Sequence, residues 1–285
     1  MASRTAIGAV ALEEARMSAG FTARSLRPRS FAMDPFLSVD EFHMSEPTFP
    51  PHPHAGFSAV TYMFERSPGA FTNRDSLGDR SRIGPGALHW TQAARGMMHE
   101  EIPERAGVDC HGLQMFVNLR RTDKRAAPRA FHVERERVPE LLEGGARVRV
   151  LAGSTGGLKG PLEGLLTDAL LLDVHLAPSA RVVLDLRPEH NVFALAISGS
   201  GTVDARGTSI GAHRAVGFAR DGDAIALEAG AEGLHVVLGG GAPIDEPVVF
   251  GGPFAMTTDE EVRDALSRYQ RGEMGRLAPS FQPRR

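Results

Sequence analysis

His52-Pro-His54, then Ala55-Gly56 and Phe57-Ser-Ala-Val-Thr-Tyr-Met-Phe64, is the stretch on which the reading of this chain turns. Pro53 fixes its own φ, has no amide proton and pushes its neighbour to extended geometry, so a helix is disfavoured here. In an extended segment the side chains at i and i+2 share a face. His52 and His54 therefore lie side by side, which is a chelating arrangement. The run from Phe57 is rich in β-branched and aromatic residues and reads as a strand. Ser67-Pro-Gly69 then breaks it.

Downstream the same texture continues. Asp75-Ser-Leu-Gly-Asp79, Gly84-Pro-Gly86 and Ala94-Arg-Gly96 are turn signals at close spacing, with Ala87-Leu-His-Trp-Thr-Gln92 as a strand between them. Short strands with regular breaks favour a sandwich or barrel from His52 to about Val133. Residues 139–164 read as a looser, glycine-containing connection. A second β series follows, with Ala169–Leu176, Ala180–Leu186, Asn191–Ser198, Ala224–Leu227 and Leu234–Leu238 as candidate strands and Gly199-Ser-Gly201 as a turn. Two β units of similar layout suggest an internal duplication. Upstream, Asp34–Asp40 reads as extended, whereas the first residues, to about Arg29, show no steady alternation.

The period changes at the C-terminus. Thr258-Asp-Glu-Glu261 fits a capping box, Val262, Ala265, Leu266 and Tyr269 recur at helical spacing, and Gly272 is a stop. The expected architecture is all-β: residues 1–28 as an extension, 29–135 as a first barrel, and 136–285 as a second barrel ending in a short amphipathic α-helix.

Composition narrows the function. The 285 residues carry a formal charge of −3, so a broad grip on nucleic-acid phosphates is not expected. The single cysteine, Cys110, cannot form an internal disulfide and reads as a small core residue. Ala6–Leu12 is apolar but ends at Glu13-Glu14, and no run is long enough to span a bilayer. A cytoplasmic protein is expected.

A second pair of candidate ligands lies in Met97-Met-His-Glu-Glu101. On a strand, His99 and Glu101 share a face and Glu100 points away. Two such pairs on neighbouring strands would gather three imidazoles and a carboxylate, a set suited to Fe, Mn, Ni, Co, Zn or Cu. Periodicity does not exclude His89, which shares its face with Ala87 and Thr91 and stays a candidate beside the site. Phe57, Met97, Met98 and Trp90 are expected to pack the barrel, with Phe57 and Met97 also candidates for an apolar pocket next to the ion. His43 and His111 read as surface or supporting groups. His132, His175, His190, His213 and His235 are scattered, and the second β unit offers no evident metal site.

These residues carry a resemblance. His52-Pro-His-Ala-Gly-Phe57, Asp75-Ser-Leu-Gly78, Gly84-Pro-Gly86, Trp90, Ala94-Arg-Gly-Met-Met-His-Glu-Glu101, Gly112-Leu-Gln-Met-Phe-Val-Asn-Leu119, Asp34-Pro-Phe-Leu37 and Gly251-Gly-Pro-Phe-Ala-Met-Thr-Thr258 together resemble the pirin family of cupins. The resemblance runs from about Arg29 to Gly275. It implies two cupin-type barrels (a bicupin), the first holding one divalent metal, usually Fe(II), through His52, His54, His99 and Glu101. It implies that the second barrel has lost its site. Ala55 stands where the family often has Arg, His89 where it often has Gln, and the hairpin Glu65–Phe71 departs from the usual glycine-containing turn.

The resemblance implies an oxidoreductase similar to quercetin 2,3-dioxygenases, whose substrates are a phenol or flavonol and dioxygen; Glu101 would serve as ligand, and as proton acceptor if it detaches. The resemblance also implies an alternative, second to the enzyme: a non-catalytic, metal- or redox-responsive regulator that contacts transcription or metabolic proteins. A monomer is expected, with no direct nucleic-acid or membrane partner.

Overall fold

The computed structural model describes residues 2–18, 20–29 and 31–281. The chain divides into two compact units. The first barrel comprises Glu14–Ser25, Ser38–Arg135 and Ile244–Arg285, and the second comprises Met1–Glu13, Leu26–Leu37 and Glu136–Pro243.

The chain opens in the second barrel with β1 (Ala6–Ala11), then supplies β2 (Glu13–Ser18), β3 (Phe21–Leu26) and β4 (Phe36–Met44). The first barrel continues with β5 (His52–His54), β6 (Phe57–Met63), β7 (Phe71–Asp75), β8 (Arg82–Ile83), β9 (Leu88–Gln92), β10 (Met97–Pro103), β11 (Cys110–Asn118) and β12 (Arg129–Val133). The second barrel adds β13 (Glu140–Glu143), β14 (Ala146–Ala152), β15 (Ser154–Thr155), β16 (Leu158–Lys159), β17 (Ala169–Leu176), β18 (Arg181–Asp185), β19 (Asn191–Thr202), β20 (Ser209–Gly211), β21 (Arg214–Phe218) and β22 (Ala224–Gly241). The chain closes in the first barrel with β23 (Val249–Gly251), β24 (Phe254–Met256) and α1 (Asp259–Gln270).

In the first barrel a seven-stranded sheet runs β12-β9-β6-β11-β4-β3-β2 and a four-stranded sheet runs β5-β10-β7-β8. β5 is an edge strand, where a proline without an N–H can be accommodated. The core packs Phe42, Met44, Met63, Phe71, Ile83 and Cys110, with the Phe42 and Phe71 rings stacked at 5.3 Å. In the second barrel one sheet runs β1-β21-β19-β22-β17-β14-β13, with β18 on β22 and β20 on β19. Its interior is filled by aliphatic side chains such as Val148, Leu172, Val174, Val192, Leu227, Val236 and Leu238. The all-β architecture with a C-terminal helix is as the strand spacing leads one to expect.

Several details differ from the sequence reading. The N-terminal stretch is not an appendage: β1 pairs antiparallel with β21, and β2 and β3 extend the first barrel's sheet. The helix belongs to the first barrel, where Val262 and Ala265 pack on Ala55, Phe254, Met256 and Met274. Leu266 and Tyr269, placed on its apolar face by periodicity, are exposed at 44% and 38%. Thr258 caps the helix by accepting from the Glu261 N–H, while Glu261 reaches back to the Thr257 N–H rather than to that of Thr258.

Gly199-Ser-Gly201 is not a turn. It continues β19 against β22 through a register irregularity. A Cβ on Gly199 would sit 2.2 Å from the Gly233 carbonyl oxygen, and one on Gly201 2.1 Å from that of Glu228, so glycine here permits close backbone approach. β22 is one strand where two were expected, and residues 139–164 contain β13 and β14. Among the described residues, no helix is long and apolar enough to cross a membrane.

Candidate metal centre

β5 and β10 pair antiparallel, with His99 directly opposite His52 and Met97 opposite His54. That register brings the two sequence pairs together. His52 Nε2 lies 3.2 Å from His54 Nε2 and 3.1 Å from His99 Nε2. The three ring centroids are 4.7 Å apart in every pairing, and the three ligand atoms fall within 4.8 Å of one another.

The tautomers follow from the second nitrogens. His52 Nδ1 is 2.9 Å from the Pro50 carbonyl and His54 Nδ1 is 3.4 Å from that of Pro253. A carbonyl oxygen only accepts, so each Nδ1 carries the proton and each Nε2 presents a lone pair. Burial pushes His54 down to about 3 and His99 well below the usual range, and it lowers His52 as well. His52 and His54 turn lone pairs toward one another at 3.2 Å and repel unless positive charge lies between them, while His99 Nδ1 has no hydrogen-bond partner among the described residues to fix its tautomer. The donor set therefore fits a divalent cation.

The corner that follows His54 is tightly fixed. Gly56 has φ +87°, and a Cβ there would lie 2.0 Å from the Ala255 carbonyl oxygen. The buried Lys124 ammonium donates to the Gly56 carbonyl at 2.7 Å, to Asn118 Oδ1 at 2.7 Å and to the Ala255 carbonyl at 2.8 Å. His54 also packs edge-on to Phe57 at 4.9 Å and Phe116 at 5.5 Å. Met97 is buried, as expected of a residue lining this interior.

Glu100 and Glu101 separate as the alternation requires. Glu100 is buried in an ion pair with Arg74 and accepts from the Ser280 hydroxyl at 2.6 Å. Glu101 is buried with Thr61 Oγ1 at 2.6 Å from its Oε2, and it does not join the three imidazoles within 4.8 Å of all of them. The same-face argument thus brings Glu101 to the right side of the strand without fixing its rotamer. Burial raises its pKa to about 7, opposed by the Thr61 hydrogen bond. Thr61 Oγ1 also lies 2.9 Å from Gln114 Oε1. One hydroxyl proton cannot serve both oxygens, so either Glu101 carries a proton or the Gln114 amide is turned.

His89 stays outside the trio. It is buried opposite Thr61 on the neighbouring strand, and neither ring nitrogen has a hydrogen-bond partner among the described residues. Burial lowers it to about 4, with Asp79 opposing that shift and His132 adding to it. Thr61, Gln114 and Lys124 carry no sequence signal of their own, because their roles arise from cross-strand neighbours. Two further groups, Glu41 with His43 and His111, and Asp173 with His175 and His235, also assemble only in three dimensions.

Comparison with known proteins gives the family and the fold. Residues 13–117 match the family described as Pirin, and residues 171–275 match that described as Pirin C-terminal cupin domain. A pirin-like protein of Solanum lycopersicum is 36% identical over 87% of this chain and 84% of its own length. The "Putative quercetin 2,3-dioxygenase" of Pseudomonas aeruginosa is 35% identical over 86% of this chain and 88% of its own. Among solved structures, a quercetin 2,3-dioxygenase from Acinetobacter baumannii superposes with a TM-score of 0.85 at 24% identity, covering 97% of this chain and 100% of that one. A bacterial pirin from Escherichia coli in complex with nickel(II) superposes at 0.63 and 17% identity, over 81% and 96% of the two chains. At those identities the likeness is one of fold: two cupin-type domains.

Proposed function

The chain belongs to the pirin family, and from that membership we propose that it is a metal-dependent dioxygenase acting on a flavonol such as quercetin. The observation that carries this reading is the convergence of three imidazole Nε2 atoms inside the first barrel, with the Nδ1 protons of His52 and His54 directed to backbone carbonyls. The name borne by the Pseudomonas aeruginosa relative supports the choice of substrate.

His52, His54 and His99 would hold the ion, and Glu101 would complete the set by a turn of its side chain. We assign Fe(II) as the resident metal; Mn, Ni, Co, Zn and Cu share the ligand preference. When bound, the ion supplies Lewis acidity that lowers the pKa of a coordinated flavonol hydroxyl. The chain's own residues do the rest. Glu101, when turned toward Thr61 and away from the ion, would accept the hydroxyl proton on its carboxyl. Thr61 steadies that carboxyl through Oε2. Phe57, Phe116 and Met97 supply apolar surface beside the imidazoles and keep water away from the reacting ring.

The test is labelled dioxygen. Metal-loaded protein incubated with quercetin under ¹⁸O₂ is expected to place both labelled atoms in the ring-opened products. Metal uptake with no label in any product would instead favour a non-catalytic regulator.

A further inference from the structure

Each barrel carries, on the face opposite its interior, the same arrangement of one carboxyl and two imidazoles. In β4 of the first barrel, Phe42 and Met44 enter the core, so alternation turns Glu41 and His43 to the other face. His111 joins them from the adjacent strand β11. His111 Nε2 lies 3.0 Å from Glu41 Oε1, and the His43 and His111 rings stack at 4.0 Å. In β17 of the second barrel, Leu172, Val174 and Leu176 enter the core and Asp173 and His175 take the other face. His235 on β22 lies directly opposite His175. His235 Nε2 is 2.6 Å from Asp173 Oδ1, His175 Nε2 is 3.3 Å from Asp173 Oδ2, and these two rings also stack at 4.0 Å.

The pattern is a carboxylate and a histidine two residues apart on one strand, with a second histidine on the neighbouring strand. Among the described residues it occurs once in each barrel. In both, the three ligand atoms lie within 4.8 Å of one another. The carboxyl is 1% exposed in both, whereas the rings are open at 15–40%, so the buried anion is reached from solvent past the imidazoles.

We propose that each of these clusters, Glu41–His43–His111 and Asp173–His175–His235, binds a divalent transition-metal ion through two imidazole nitrogens and one carboxylate oxygen, one ring of each stacked pair turning about its Cβ–Cγ bond to bring its nitrogen to the ion. That ligand set accepts Fe(II), Co(II), Ni(II) and Zn(II). Binding replaces the protons that bridge rings and carboxylate, and those protons pass to solvent. One observation beyond proximity supports it. Asp109 Oδ2 lies 2.7 Å from His43 Nδ1, which places the ring proton there and leaves Nε2 as a lone pair, the orientation that metal-ligating histidines receive from an outer carboxylate.

The experiment is equilibrium dialysis of the metal-free full-length chain against Zn(II), with elemental analysis, for wild type, His111→Asn, His235→Asn and the double variant. Uptake by the three-histidine centre is common to all four, so the result does not depend on it. Each single variant is expected to bind one zinc fewer per chain than wild type, and the double variant two fewer. Should either asparagine variant fail to fold by circular dichroism, His43→Gln and His175→Gln, at the more open rings, take its place with the same expectation. Equal zinc uptake by wild type and the folded double variant would overturn the proposal and leave the clusters as ion pairs.

Discussion

His52 and His99 sit directly opposite one another on paired strands, with their Nε2 atoms 3.1 Å apart. His52 Nε2 presents a lone pair there, its Nδ1 proton being directed to the Pro50 carbonyl, and a cation held between the two rings would use both nitrogens. Replacing either ring should therefore cost far more than disturbing a supporting group, which typically lowers metal affinity roughly 10–100-fold. His99→Ala is expected to lose the metal of the three-histidine centre altogether on dialysis while keeping its far-ultraviolet circular dichroism. Retention of that metal at wild-type affinity would remove His99 from the ligand set.

Thr61 reaches Glu101 from the facing sheet, 2.6 Å from its carboxyl. Thr61→Val keeps the shape and deletes the hydrogen bond. Turnover with quercetin is expected to fall roughly 10–100-fold, as for other outer-shell partners. The hydrogen bond lowers the Glu101 pKa, so its loss raises that pKa and shifts the acidic limb of the rate profile, where the base gains its proton, to higher pH. Thr61→Ser should restore both. A rate and profile unchanged by Thr61→Val would show that Glu101 does not depend on this hydroxyl.

Lys124 and Gly56 fix the corner that carries His54. Lys124→Met leaves three buried acceptors without their donor, at about 1–3 kcal/mol each before relaxation. Gly56→Ala forces a Cβ into the Ala255 carbonyl at a positive φ. Both are expected to lower the denaturant midpoint, and Gly56→Ala to reduce metal occupancy as well, because His54 lies two residues away. Unchanged midpoints by urea titration would contradict this account of the corner.

The strands and the ligand spacing were legible because both are local. Pro53 and the His52/His54 alternation act within three residues, and the capping threonine of α1 acts within four. What was not legible depends on register between distant strands. Nothing near His235 announces that β22 will set it against His175, and nothing in Gly199-Ser-Gly201 distinguishes a turn from a strand squeezed against Gly233 and Glu228. The Glu101 rotamer was hidden for the same reason, since Thr61 lies forty residues earlier on another sheet. The exchange of terminal segments between barrels was likewise invisible, because β1 finds its partner β21 more than two hundred residues away.

Asp204 gives a test by acid. Its carboxyl accepts from the N–H groups of Ala6, Arg206 and Thr208 and from the Thr208 hydroxyl, tying β1 to the turn after β19. Burial opposes ionisation, but the hydrogen bonds from Thr208, Ala6 and Arg206 prevail and lower its pKa. A pKa lowered on folding stabilises the native state above the unfolded value, and that contribution is lost as pH falls through the folded value. Asp204→Asn is therefore expected to be less stable than wild type at neutral pH. The gap should narrow as pH drops below the ordinary carboxylate range. A gap constant from pH 7 to pH 3 would contradict the assignment.

The most direct test is a dioxygen-electrode trace. Full-length protein loaded with Fe(II), its metal-stripped form and His54→Ala are compared with quercetin as substrate. Consumption of one dioxygen per quercetin by the loaded wild type, and none above background by the other two, is the predicted result. Equal consumption by metal-stripped protein would contradict the claim that the three converging imidazoles exist to hold the ion on which the reaction depends.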